Sequence, residues 1–215
     1  DWKIDPDPVL GEETDSKTLT ALAQEGVMAM ICDSTNVFSE GRSGTETEVA
    51  RTLSQVISEQ TGRVAVTTFA SNVSRLVSVC RAAKAVDRSV CLLGRSMLRM
   101  IEVARSVDML PKGISFVEPG EAGYLPRDKV LYLCTGSQGE PRAALSRIAR
   151  DDHPELTLEE GDTVLFSSKM IPGNERGIFD LINSLTEQDV TVITEADAYI
   201  HVSGHPCRDE LKDMY

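Results

Sequence analysis

Short apolar runs alternate with amphipathic stretches along most of the chain. Val27–Cys32, Val64–Phe69, Val90–Leu93, Val130–Cys134, Thr163–Ser167 and Val190–Thr194 are mostly rich in Val, Ile or Leu, with little in/out alternation. Strands covered on both faces read this way. Between them, apolar residues recur at helical spacing. Thr45–Gln60 aligns Val49, Leu53, Val56 and Ile57; Asn72–Val86 aligns Leu76, Val79 and Ala83; Ser96–Val107 carries Leu98, Ile101 and Ala104. Pro141–Arg150 and Asn174–Leu185 complete the predicted helices. Alternation at this spacing implies parallel pairing through right-handed crossovers. The expected fold is α/β, a doubly wound, mostly parallel sheet with helices on both faces.

Two segments break the rhythm. Asp1–Asp15 is acidic, holds two prolines and has no core-forming pattern, as expected of a connector from another domain. Pro111–Asp128 holds three prolines and three glycines and is expected to be a loop. The chain opens at Asp1 rather than Met and ends at Tyr215 inside a helical-looking segment, so both ends read as cut from a longer protein.

Composition narrows the function classes. The chain has 215 residues, 41% of them hydrophobic, which is enough to bury a core. A net charge of −12 argues against coating DNA or RNA with a broad basic face. It leaves room for a nuclease, in which a few arginines grip phosphates locally. The five cysteines form no C-x-x-C pair, and three lie in strand-like runs, as expected of buried free thiols in a reducing cytoplasm. No apolar stretch approaches the roughly 20 residues of a membrane helix, so no membrane partner is expected.

In an open parallel sheet, ligands collect at the carboxyl ends of the strands. The residues there are Asp33-Ser34-Thr35-Asn36, Ser71-Asn72, Gly94-Arg95-Ser96, the Thr135–Glu140 turn and Ser167-Ser168, then, past a short bridge, His201-Val202-Ser203-Gly204-His205. Small hydroxyls, Asn, Gly and Arg at helix starts suit phosphate oxygens. Each piece also has a plainer reading. Ser71, Asn72 and Ser96 could cap helices, Asp33 could cap a turn, and Gly136 and Gly139 could simply make one. The coincidence of five such loops on one predicted edge favours a binding site.

Of the three histidines, His153 precedes a proline in a surface loop, whereas His201 and His205 share a Ser/Gly-rich loop that is poor packing material. A histidine near neutrality can pass a proton to a leaving oxygen, although a purely structural pair is the alternative. There is no G-x-S-x-G elbow, P-loop, G-x-G-x-x-G or H-E-x-x-H.

Taken in order, Cys32–Asn36, Thr68–Asn72, Gly94–Met97, Cys134–Pro141, Ala143–Ala149, Ile171–Asn174 and His201–His205 strongly resemble the ribonuclease J family, as does the opening Asp1–Asp5. That family is the RNA-degrading bacterial branch of the β-CASP group within the metallo-β-lactamase superfamily. The resemblance implies a β-CASP domain inserted into a metallo-β-lactamase fold and closing over its zinc centre. Residues 1–15 would then be the tail of the metallo-β-lactamase domain with a connector, 16–200 the β-CASP domain, and 201–215 the histidine loop and return. Asp1 resembles the aspartate that bridges two zinc ions.

Asp33 and His205 resemble the acid and histidine peculiar to β-CASP enzymes. His205 would protonate the leaving oxygen or stabilise the charged phosphorane, and Asp33 would orient it and keep it charged. Ser71, Asn72, Arg95, Ser96, Ser137, His201, Ser203 and Gly204 would hold nucleotide phosphates, including a 5′-monophosphate. The parent would be a cytoplasmic 5′-to-3′ exo- and/or endoribonuclease and a homo-oligomer. The H-x-H-x-D-H metal motif is absent, so this chain alone is expected neither to bind zinc tightly nor to cleave RNA. The alternative is a nucleotide- or phosphate-binding, or dimerisation, module without catalysis.

Overall fold

The structure, a computed structural model, describes residues 2–215. Asp1, the expected metal ligand, lies outside the described residues. Two compact units are present: one combines Asp1–Glu48 with Val202–Tyr215, and the other is Val49–His201. The expected segments 1–15, 16–200 and 201–215 refer instead to the domains of a longer protein.

The larger unit is built on five parallel strands: β1 (Val64–Thr67), β2 (Ser89–Leu93), β3 (Val130–Cys134), β4 (Thr163–Phe166) and β5 (Thr191–Ile193). Their order is β2-β3-β1-β4-β5, and every pairing is parallel. The central strands β1, β3 and β4 are buried at every position, which accounts for their unbroken apolar sequence. One sheet face, including Ala65, Tyr132, Cys134, Val164 and Phe166, packs with Leu145, Ile178, Leu181 and Leu185. Those four come from α6 (Ala144–Ile148) and α7 (Glu175–Thr186). The alternate positions Val64, Val66, Leu92, Leu131, Leu133 and Leu165 are buried too. The buried stripes of α2 (Glu46–Ser58), α3 (Val73–Ala85) and α4 (Arg95–Ser106) include Leu53, Leu76, Val79, Met97 and Ile101. The expected α/β class is observed.

Four of these helices end alike. After α3, α4, α6 and α7, an aspartate (Asp87, Asp108, Asp151 or Asp189) adopts positive φ. The next residue's N–H returns to a carbonyl inside the last turn: Arg88 to Ala83, Met109 to Ala104, Asp152 to Arg147 and Val190 to Leu185. This is the reverse turn usually made with glycine, and aspartate tolerates the left-handed conformation better than most side chains. Glycine is needed elsewhere. A Cβ on Gly139, at φ +70°, would meet the Gly177 carbonyl carbon at 2.4 Å. That contact seats the β3 loop on the first turn of α7.

One predicted strand does not form. Val27–Cys32 is irregular, and Met28 and Ile31 are fully exposed. Among the described residues no strand pairs with it, and an unpaired strand leaves its backbone groups to solvent. Cys32, expected to be buried, is exposed. Three elements were not foreseen as such: α1 (Ser16–Glu25), which buries no residue, the short α5 (Pro119–Ala122) inside the 111–128 loop, and the extent of α8 (Arg208–Met214). The predicted Pro141–Arg150 helix shortens to α6, because a turn occupies Pro141–Ala143 and Thr135 receives the N–H groups of Ala144 and Leu145.

Candidate functional site

Within the smaller unit, Asp33 meets His205 across 172 positions of chain, with the carboxylate Oδ2 2.8 Å from the imidazole Nδ1. Asp33 sits in a loop rather than at a strand tip, and its side chain is 7% exposed against 31% for His205. Burial opposes ionisation of the Asp33 carboxyl. The Thr35 backbone N–H (2.8 Å), the His205 imidazole and the Thr35 hydroxyl outweigh it and hold the carboxyl well below its ordinary range. An ionised carboxylate at Nδ1 places the ring proton there, so exchange with a substrate oxygen falls to Nε2.

The loop carrying the histidine is braced from the other side of the pair. The Asn36 amide donates to the Ser203 hydroxyl (2.9 Å) and to the His205 carbonyl (3.2 Å), and Asn36 bridges Cys207 in parallel fashion. The His205 N–H also donates to the Ser203 hydroxyl, at 3.1 Å. Behind it, Glu210, 1% exposed, accepts from Ser43 and from the Cys207 N–H. Asn36 and Glu210 were not among the expected site residues. The Asp33–Asn36 spacing was a signal for the first. Glu210 gave none, since it reads as one more acid in a terminal helix.

In the larger unit, parallel strands bring the loops after β1, β2, β3 and β4 to one sheet edge. That edge carries Ser71 and Asn72, Arg95 and Ser96, Ser137, and Ser167 and Ser168. Asn72 caps α3 through the Arg75 N–H at 2.9 Å, so the capping reading of this residue holds alongside any binding role. Arg95 and Ser96 are exposed, whereas Ser137 is only 4% exposed. Connections leave β1 and β4 in opposite directions, which makes the gap between them the switch point where such sheets bind ligands. There Arg75, fully buried, donates to the Ser167 hydroxyl (2.7 Å), the Ser167 carbonyl (3.0 Å) and the Ile200 carbonyl (3.1 Å). The guanidinium anchors the backbone immediately before His201. Sequence periodicity could not find Arg75, because a charged residue in the first turn of a helix reads as surface.

Among the described residues no three His, Cys, Asp or Glu side chains converge as a metal ion requires.

A five-stranded parallel α/β sheet of this order, in a chain that also holds an acid–imidazole pair, defines a β-CASP-type fold. The profile described as "Ribonuclease J, beta-CASP domain" matches residues 61–185, more than half of the chain. The chain belongs to the ribonuclease J family. It is 50% identical over its whole length to ribonuclease J of Sinorhizobium meliloti, of which it covers 38%. It is 42% identical over its whole length to that of Corynebacterium glutamicum, covering 30% of it, and 38% identical over 99% of the chain to that of Thermus thermophilus, covering 37%. The chain thus spans well under half the length of these relatives.

Proposed function

We propose that this chain is the RNA-clamping β-CASP portion of a longer zinc-dependent ribonuclease acting on 5′-monophosphorylated RNA. Asp33 and His205 supply its acid–base pair. The 2.8 Å contact between them carries the reading: an ionised, nearly buried carboxylate fixes one imidazole nitrogen and turns the other to proton transfer. Asp33 orients; His205 delivers a proton to the leaving oxygen or neutralises charge on the phosphorane. Ser71, Asn72, Arg95, Ser96, Ser137, His201, Ser203 and Gly204 hold phosphates along the substrate path. Zinc, with Asp1 as one ligand, depends on a metallo-β-lactamase domain elsewhere in the parent. Homo-oligomerisation and a reducing cytoplasmic setting belong to the same proposal; five unpaired cysteines suit the latter.

The test is made in the full-length parent. His205→Ala is expected to lower RNA cleavage by about 10²–10⁴-fold, the usual range for a positioned acid or base. Asp33→Ala is expected to act through the same group, so the double variant loses little beyond His205→Ala alone. Unchanged cleavage in folded single variants would leave a binding or dimerisation module instead.

A further inference from the structure

A second feature of the larger unit lies at the amino end of β2, away from the strand-end loops. A cavity of about 510 Å³ opens between the end of α3 and the Pro111–Ser115 loop. Its lining includes Arg81, Lys84, Arg88 and Lys112, with Asp87 as its only carboxylate. Among the described residues, the side chains of Arg81, Lys84 and Lys112 make no hydrogen bond or ion pair, and all three residues are exposed. Asp87 is already bridged by Lys129 at 2.9 Å. Arg88, 6% exposed, donates to the carbonyls of Gln60, Gly62 and Val130 and meets no carboxylate within ion-pair distance. Its buried charge is hydrogen-bonded to these carbonyls and also feels the carboxylates of Asp128 and Asp162.

This concentration of charge runs against the chain's own −12. Three exposed cations, Arg81, Lys84 and Lys112, share the cavity with one carboxylate that Lys129 already holds. The carbonyl end of α3 adds only about half a negative charge, too little to cancel them. The apolar part of the wall is Val90, Ile114, Val117 and Pro111. Cations on one side and a short apolar surface on the other suit a phosphorylated ligand with a less polar body, and the volume falls in the range of small-ligand sites, about 300–1,000 Å³. No aromatic ring lines the cavity for base stacking, so phosphate rather than base supplies the recognition.

We propose that this cavity binds nucleotide phosphate, gripped by Arg81, Lys84 and Lys112. The phosphate can come from a free nucleotide or from an RNA strand, and separate arms of one experiment tell them apart. Isothermal titration of the full-length parent uses adenosine 5′-triphosphate, adenosine, and a cleavage-resistant phosphorothioate RNA hexamer. The parent is compared with an Arg81→Glu/Lys112→Glu variant, whose substitutions lie at exposed positions. The expected result is phosphate-dependent binding, absent with adenosine, that the double variant weakens by about tenfold or more and that salt weakens further. Variant-sensitive binding of the triphosphate identifies a free-nucleotide site; the same sensitivity for the hexamer alone identifies the RNA strand. Adenosine binding as well as its triphosphate, binding indifferent to the double variant, or no binding by either phosphate ligand would overturn the proposal. RNA cleavage by the variant separates this from the proposed acid–base pair, which uses none of these residues.

Discussion

The Asp33 carboxylate is nearly buried, yet it is held in its ionised form by the Thr35 N–H and the His205 ring. Its proton affinity is lower in the folded chain than in the unfolded one, where a carboxyl titrates near 4. The stabilisation from this residue is therefore complete above about pH 4 and fades as acid protonates the folded carboxyl. Asp33→Asn removes the charge and is expected to cost about 1–3 kcal/mol at neutral pH, the range for hydrogen bonds to a charged group. Urea unfolding at stepped pH should show this gap shrinking below about pH 4; a gap that widens in acid would refute the assignment. The pair itself was legible from the family resemblance of Asp33 and His205. Glu210, which braces its loop, was less so, because nothing in the spacing of its neighbours marks a charged helix residue as buried; Arg75 in the larger unit was hidden for the same reason.

At the scale of elements, five of the six predicted strands formed near their expected positions, because a run covered on both faces is apolar throughout. Val27–Cys32 has the same composition and did not, since a strand exists only with a partner to receive its backbone hydrogen bonds. The ends of α3, α4 and α7 fell within one residue of prediction, although the stop itself, an aspartate in the left-handed conformation, carries no glycine to announce it. The amino edge of the sheet has its own anchor. Asp162, 0% exposed, accepts from the Arg63 N–H at 2.7 Å and from the Arg63 and Arg127 guanidiniums. Asp162→Ala would leave these donors facing a void and is expected to cost about 3–5 kcal/mol. Thermal unfolding of the larger unit measures it, and a loss below about 1 kcal/mol would show that the guanidiniums are satisfied without it.

For the molecule as a whole, the exposed apolar run and the charge-poor α1 that precedes it sit in the smaller unit, whose core is slight. Burial pushes the thiols of Cys80, Cys91 and Cys134 up to about 12, whereas Cys32 stands at the end of the exposed run. Alkylation at neutral pH is thus expected to modify Cys32 well before those three in the 215-residue chain, and mass spectrometry of timed digests would show the order. In the full-length parent, protection of Cys32 is expected if the proposed metallo-β-lactamase domain covers Val27–Ile31. Equal labelling in both would remove that role from the run. The smaller unit is also split by the larger, so Asp33 and His205 stand 172 residues apart along the chain. At translation speeds of 5–20 residues per second, the carboxylate leaves the ribosome roughly ten to thirty seconds before its imidazole. A nascent chain halted anywhere in that interval can fold its sheet while lacking half of the proposed proton relay, so that relay stays unarmed until synthesis has passed the entire larger unit.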